Sequence, residues 1–223
     1  MLAPVLANRL ILLFQFLATL TILALVPTNL GKLAALLSLW LITFRRLSGA
    51  EFAMYCGACL FFTAMNAASL KQGIFSFSRP DFLGMPVYEF FMWGFYLLHT
   101  KRMVGGVAPQ KRWDAWALAV LYALAFGAIP DPHLLLAVTA TLLLIGIALF
   151  HEPLDLGYVG YMVLFGAAVE YTGVWSGQWT YPGEPLGGVP LWFITLWGGV
   201  GLFLRRIVLP IVANFEAPVR LRL

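Results

Sequence analysis

Two carboxylic acids stand inside otherwise apolar segments of this sequence. Glu170 has no Lys or Arg within one helical turn, and Glu89 begins an apolar run three residues after Pro86. A charge at the centre of a bilayer costs about 2.5–3.5 kcal/mol on the insertion scale, so an acid kept there is a candidate functional group. We expect Glu170 either to be a protonated proton donor or to pair with a residue of another helix. Glu89 has a second interpretation, because an acid in the first turn stabilises a helix.

The acids are accompanied by an amide and by aromatic side chains that could serve the same reaction. A carboxylic acid can protonate an alkene, and aromatic faces stabilise the carbocation that results. We predict that Asn66 positions the reacting groups. The predicted substrate-binding residues are Tyr88, Trp93, Trp175, Trp179, Tyr181 and Trp192. The alternative is an aromatic belt at the membrane interface, which explains part of this enrichment.

The sequence lacks the residue patterns that metal, redox and phosphate-binding sites need. His99, His133 and His151 form no spacing typical of a di-iron site, and we predict no metal and no cofactor. Cys56 and Cys59 form a C-x-x-C inside an apolar run, where small buried residues are a better interpretation than a redox pair. There is no phosphate-binding glycine loop and no Lys in mid-segment. The remaining candidate chemistry is therefore that of carboxyl groups and aromatic rings.

The composition places these residues in a membrane. Apolar residues make up 61% of the 223 residues and charged residues 11%, against about 45–50% and 25% in soluble domains. A soluble protein is excluded, because so short a chain cannot bury that much apolar surface in water. We predict an all-α integral membrane protein with eight transmembrane helices. The predicted spans are residues 10–26, 31–47, 52–70, 87–104, 113–129, 133–150, 155–174 and 190–212.

Lys and Arg residues define the predicted orientation, since they accumulate on the cytoplasmic side. Eight spans place three basic residues on one side, namely Lys32, Lys71 and Arg79. The other eleven fall on the opposite side: Arg9, Arg45, Arg46, Lys101, Arg102, Lys111, Arg112, Arg205, Arg206, Arg220 and Arg222. We predict a bacterial inner-membrane protein with both termini in the cytoplasm, and loops 71–86 and 175–189 facing outward. The net charge of +4 thus reflects topology rather than a nucleic-acid surface.

The sequence also repeats itself. Residues 73–104 align without a gap to residues 177–208, 104 positions later, with eight identical pairs in 32. The same offset pairs Asn66 with Glu170. We therefore predict two parallel four-helix repeats, 1–104 and 105–223, related by an axis along the membrane normal. Glu51 and Asp155, which are also paired by the offset, are expected to cap helices.

Two motifs resemble known families. Glu170-Tyr-Thr-Gly173, the loop GQWTY at residues 177–181, Gly188-Val-Pro190 and Trp197 resemble the E-x-x-G…G-x-Y-x-Y…G-V-P…W pattern of membrane carotenoid 1,2-hydratases. Residues 84–91, GMPVYEFF, resemble the P-x-E-E region of small, heterodimeric-type lycopene cyclase domain proteins. The resemblance covers about 60 residues. It implies carotenoid biosynthesis, with Glu170 as the hydratase-type acid and Glu89 as the second acid of the cyclase motif.

The cyclase motif is incomplete, which counts against closure of a β-ionone ring. Tyr88 replaces its first acid, and both acids are absent at Trp192-Phe193. The prediction is a membrane enzyme that hydrates or cyclises a carotenoid or related isoprenoid, with Glu170 as the acid and Glu89 as a second acid or base. A small transporter or lipid carrier, or a non-catalytic subunit of a membrane complex, is the alternative. The expected partners are the substrate and the bilayer, and a homo-oligomer is left open.

Overall fold

The chain folds into a bundle of helices, with one short ribbon of two strands at one end. The computed structural model describes residues 2–183 and 186–216. The helices are α1 (Leu2–Leu25), α2 (Asn29–Phe44), α3 (Gly49–Lys71), α4 (Glu89–Val104), α5 (Trp113–Ala128), α6 (Pro132–Leu149), α7 (Pro153–Trp175), α8 (Trp192–Phe203) and α9 (Leu209–Glu216). Strands β1 (Ser76–Phe77) and β2 (Trp179–Thr180) pair antiparallel. The all-α prediction is confirmed.

Within the described residues, four helices are long and apolar enough to cross a membrane. They are Leu6–Leu25 in α1, then α3, α6 and the continuous helix Trp192–Glu216, in which a π-helical turn at Leu204–Val208 joins α8 to α9. Two more apolar helices, α2 and α5, are shorter at 16 residues each. Large apolar side chains are exposed along the outside of the bundle, as lipid requires. Each predicted span coincides with a helix, and membrane character is supported by the four long ones.

Arginine pairs gather at one end of the bundle, which we call the basic end. Arg102 donates to Glu51, with an Nη2–Oε2 distance of 2.6 Å, and to the Phe44 carbonyl at 2.6 Å. Arg206 donates through Nε to Asp155 at 2.7 Å. Both acids also close a capping box at the start of their helix, which confirms their predicted capping role. Arg220 and Arg222 lie outside the described residues.

Many contacts recur 104 residues apart. The two capping boxes lie at Ser48–Glu51 and Glu152–Asp155, and the two arginine pairs lie one repeat apart. In the ribbon, Ser76 faces Thr180, which is its own counterpart in the sequence repeat. A twofold axis between two equivalent strands makes them antiparallel and places equivalent residues opposite each other. The pairing of Ser76 with Thr180 fits such an axis. We call the end that carries this ribbon the hairpin end.

The central helices are α4 and α8, one from each half of the sequence. The stretch of α4 from Met92 to Thr100 is wholly buried, and so is two thirds of an apolar 18-residue window within Trp192–Glu216. Trp93 and its counterpart Trp197 stack with ring centroids 4.9 Å apart. Gln15 of α1 hydrogen-bonds buried His99 at 2.9 Å, which links the first helix to this centre. The core thus lies where the two halves meet.

The arginine pair at α7 should be required for stability. Asp155 is fully buried, and Arg206 is 5% exposed, so Asp155→Asn would remove the buried carboxylate and leave Arg206 with only the exposed carboxylate of Glu152, 3.0 Å away. We expect the free energy of unfolding to fall by about 3–5 kcal/mol. Denaturant titration in mixed micelles measures this. The control is Asp114→Asn, whose ion pair with Arg112 is exposed and should change stability by about 1 kcal/mol or less. Equal effects of the two substitutions would contradict the prediction.

Candidate functional site

One cavity of about 70 Å³ at the hairpin end is lined by all three predicted catalytic residues, Asn66, Glu89 and Glu170. Asn66 comes from α3, Glu89 from the first residue of α4 and Glu170 from α7. Both acids are 8% exposed. We call this space the acid cavity. Two carboxyl groups that are far apart in the sequence are therefore brought to one enclosed space.

Glu170 is held by three hydrogen-bond donors. Trp179 Nε1 donates to Oε2 at 3.0 Å, Tyr181 OH donates to the same oxygen at 2.7 Å, and Trp197 Nε1 donates to Oε1 at 3.2 Å. Burial, and next the Glu170 carboxylate, raise the pKa of the Tyr181 phenol well above its ordinary value, so Tyr181 remains a donor. Glu170 thus has three donors and, among residues 2–183 and 186–216, no Lys or Arg in an ion pair with it, which matches a carboxyl group that acts as an acceptor.

Two glycines make room for these donors on α7. Gly166 and Gly173 lie four residues before and three after Glu170, so all three share one helix face. A methyl group at Gly166 would overlap the Trp197 ring, and one at Gly173 would overlap the Trp179 ring. The glycines therefore let each indole lie against the α7 backbone and direct its N–H toward the carboxyl group between them.

Glu89 is held much more loosely. Its Oε1 accepts one hydrogen bond, from Asn66 Nδ2 at 3.1 Å. Its side chain faces the acid cavity, and Glu89 is also the acidic residue in the first turn of α4. The alternative interpretation, an acid that stabilises the helix start, is therefore compatible with its position. Asn66 positions Glu89, and it is also the sequence counterpart of Glu170 in the other repeat.

Aromatic rings form most of the cavity wall. Of the predicted substrate-binding residues, Trp93, Trp179, Tyr181 and Trp192 line it. Trp175 does not, since it is 74% exposed and donates to the Gly187 carbonyl. Tyr88 is buried on another side, where its OH lies 3.5 Å from Gln178 Oε1.

Sequence reasoning missed some of the wall. Phe62 stacks on Trp93 with a centroid distance of 3.8 Å, and Tyr96 meets the Trp197 ring edge-on at 5.1 Å. Trp197 was part of the hydratase-like motif in the sequence, but it was not predicted to line the site. The spacing of Gly166, Glu170 and Gly173 was the signal that could have indicated indole rings packed on α7.

A larger apolar groove adjoins the acid cavity. It has a volume of about 510 Å³ and lies between α3, α5 and the α8–α9 helix. Four residues line both spaces: Phe62, Met65, Phe126 and Leu196. The groove is therefore next to the acid cavity, and these four side chains lie between the two spaces.

No metal-binding cluster of three or more His, Cys, Asp or Glu side chains occurs within residues 2–183 and 186–216. Cys56 and Cys59 are unpaired and lie within α3, away from any strand-to-helix turn. Comparisons with protein families, with curated proteins and with solved structures give no match to this chain. The functional argument therefore depends on the geometry of the site.

Replacing Gly173 by Ala should disturb the site, because the added methyl group displaces the Trp179 ring. We expect a loss of about 1–3 kcal/mol in stability, the usual cost of overpacking. Gly160→Ala on the same helix is the matched control, since nothing lies within 4 Å of its added methyl group. Unfolding of both variants in mixed micelles measures the difference. Equal stability of the two would show that close indole packing is unimportant.

Proposed function

We propose that this chain is an integral membrane protein of eight spans, arranged as two parallel four-helix repeats. The recurrence of caps, arginine pairs and ribbon contacts at an offset of 104 residues supports two copies. The grouping of arginines at the basic end supports a cytoplasmic location for that end and for both termini. A bacterial inner membrane suits this arrangement.

We further propose that the protein protonates a double bond of a carotenoid or related isoprenoid. The observation that carries this proposal is the acid cavity, in which one acid from each half of the chain faces a wall of aromatic rings. Carbocation chemistry needs a proton donor, a site with little water and electron-rich surfaces near the developing positive charge. The family resemblance of the Glu89 and Glu170 motifs points to the same substrate class.

The hydrogen bonds suggest separate roles for the two acids. Glu170 accepts three hydrogen bonds, which favour its ionised form, whereas Glu89 accepts one from a neutral amide. We therefore assign the proton donor to Glu89 and the base to Glu170. This reverses the order expected from the sequence, in which Glu170 was the acid.

The proposed reaction begins when the Glu89 proton adds to one alkene carbon. The π electrons form the new C–H bond, and the adjacent carbon becomes a cation beside the aromatic wall. In hydration, a water oxygen attacks that cation while Glu170 accepts a proton from the water. In cyclisation, a second double bond attacks the cation, and Glu170 removes a proton from the ring that forms. Transfer of a proton from Glu170 back to Glu89, through solvent, restores the starting state.

The apolar groove supports a long, membrane-dissolved substrate. The acid cavity, at about 70 Å³, holds only the end of a chain, whereas the adjoining groove of about 510 Å³ can take the part that follows. The groove is lined by side chains such as Phe61, Met65 and Val208, which offer no hydrogen bonds. A polyene could thus enter from lipid with one end in front of the acids.

The convergence of the acids favours this enzyme over the alternatives. Carboxyl groups on separate outer surfaces would suit a non-catalytic subunit, but both are buried and line one space. In the described residues, the interruption of α8 lies at Leu204–Val208, close to the arginines of the basic end. A transporter would be expected to break its helices near a midplane binding site instead.

Substitution of either acid should abolish conversion. In cells that make lycopene and its acyclic precursors, the wild-type chain should produce a hydrated or cyclised pigment. Glu89→Gln and Glu170→Gln should each lower conversion by about 100-fold or more, the usual contribution of a general acid or base. Glu216→Gln is the control, since this acid is exposed at the basic end. Unchanged pigments with the wild type, or full conversion by both variants at equal protein level, would refute the proposal.

The roles of the two acids can be distinguished by assaying the same two purified variants in D₂O for deuterium uptake by the substrate. Glu170→Gln should still exchange substrate hydrogen for deuterium without releasing product, because Glu89 can add and remove a proton reversibly. Glu89→Gln should lose exchange and product together. The opposite pattern would show that Glu170, and not Glu89, is the proton donor.

Blocking the groove should discriminate between substrates by length. Gly57 lines the groove, and nothing lies within 4 Å of a methyl group placed there. We expect Gly57→Phe to fold normally and to lose conversion of long polyenes, measured as pigment formed per protein. Gly160→Phe is the control, since Gly160 also has open space but lies outside the groove. Full conversion by Gly57→Phe would exclude the groove as the substrate path.

A further inference from the structure

A second, polar pocket lies at the hairpin end. Its volume is about 260 Å³, and its polar lining includes Asn29, Lys32, Ser78, Arg79, Tyr88 and Gln178. These residues come from the start of α2, from both outward loops and from the residue before α4. The pocket shares no lining residue with the acid cavity. It is therefore a separate site, and its use does not depend on the proposed function.

Lys32 is the unusual member of this pocket. Its side chain is only 3% exposed, although a lysine near the end of a membrane helix ordinarily extends its ammonium group to the interface. The eight ion pairs of the described residues involve other cations, so no described carboxylate lies within 4.0 Å of Lys32 Nζ. Its nitrogen lies 5.6 Å from the centroid of the Tyr88 ring. An anion in the pocket would stabilise an ammonium group that has no ion-pair partner among the described residues.

A second cation reaches the same pocket. Arg79 is exposed, and its Nη1 donates a hydrogen bond to the Pro27 carbonyl at 3.2 Å. The other N–H groups of its guanidinium remain available to a ligand. Asp81, the nearest acid in sequence, accepts instead from Asn29 Nδ2 at 2.8 Å and from the Val87 N–H at 2.9 Å. The carboxylate of Asp81 therefore lies beside the pocket and offsets part of its positive charge, but it forms no ion pair with either cation among the described residues.

The backbone adds to this positive character. Thr28 caps α2 and accepts from the Gly31 N–H, while Lys32 lies in the first turn of this 16-residue helix. The unpaired N–H groups at a helix start carry a partial positive charge that favours anions. A phosphate group has several oxygens in one compact anion, so it can meet an ammonium group, a guanidinium group and backbone donors together.

We propose that this pocket binds a phosphate group, with Lys32 and Arg79 as its charged ligands. The phosphate can come from two sources of the same chemistry, a phospholipid headgroup at the membrane surface or a free phosphate or diphosphate. Lys32 holds the anion at the buried end of the pocket. Arg79 closes the site from the solvent side, since it is the exposed cation.

Calorimetry on the purified full chain, in a detergent without phosphate, tests the free anions. Inorganic phosphate and pyrophosphate are titrated in turn into wild type, Lys32→Gln, Arg79→Gln and Lys71→Gln. Loss of one charge-assisted hydrogen bond should weaken binding about tenfold in the first two variants. Lys71→Gln is the matched control, because Lys71 is an exposed lysine at the end of α3 that does not line the pocket.

Nanodiscs distinguish the lipid source. The same four proteins are placed in discs of phosphatidylglycerol mixed with phosphatidylcholine, and retained lipid is identified by native mass spectrometry. Retention of phosphatidylglycerol that falls in Lys32→Gln and Arg79→Gln, without binding of free anions, supports a lipid headgroup. Saturable binding of a free anion with the same dependence supports a soluble phosphate.

Two results would overturn the site. One is that the wild type binds neither free anion and retains no phosphatidylglycerol. The other is that the Lys32 and Arg79 variants bind as the wild type does. If Lys32→Gln fails to fold, Arg79→Gln decides the question, since its exposed side chain can be replaced without opening the core.

Discussion

The buried carboxyl group of Glu170 is the constraint on which this structure depends. An acid in the interior of α7 loses its hydration, and the effective cost in a protein is several kcal/mol unless other groups replace the lost water. Three donors do so here, two from the loop around β2 and one from α8. Each hydrogen bond to a charged group contributes about 1.5–3 kcal/mol. Satisfying one acid therefore fixes how the second outward loop and α8 pack against α7.

The same constraint explains the glycines of α7 and the asymmetry between the halves. Gly166 and Gly173 let two indole rings approach the helix, which ordinary side chains would prevent. In the first half, Asn66 takes the position of Glu170, and Glu89 takes the position of Phe193 in the second half. One acid is thus tightly held and the other has a single amide partner, although the backbone around them repeats. This difference is the basis of the separate chemical roles that we propose for the two carboxyl groups.

The two ends of the bundle differ in whether their ionisable side chains form ion pairs. At the basic end, Arg102 and Arg206 are neutralised by Glu51 and Asp155, so the charges hold helices together. At the hairpin end, the acids face an aromatic cavity and Lys32 faces a polar pocket, each without an ion-pair partner among the described residues. The ionisable groups that join helices at the basic end are therefore paired, whereas Glu89, Glu170 and Lys32 have no ion-pair partner among the described residues and line the two pockets of the hairpin end.

The amino-acid sequence determined the features that depend on composition and spacing. Its apolar segments located the helices, because hydrophobic length and polar punctuation are local properties. The offset of 104 residues identified Glu51 with Asp155 and Asn66 with Glu170, and both pairs occupy corresponding positions. Tertiary structure decided which side chains meet. It brought Glu89 beside Glu170, added Phe62, Tyr96 and Trp197 to the wall, and turned Tyr88 and Trp175 away. These outcomes depend on the rotation of each helix about its axis and on the path of the loops, which are set by packing between distant segments.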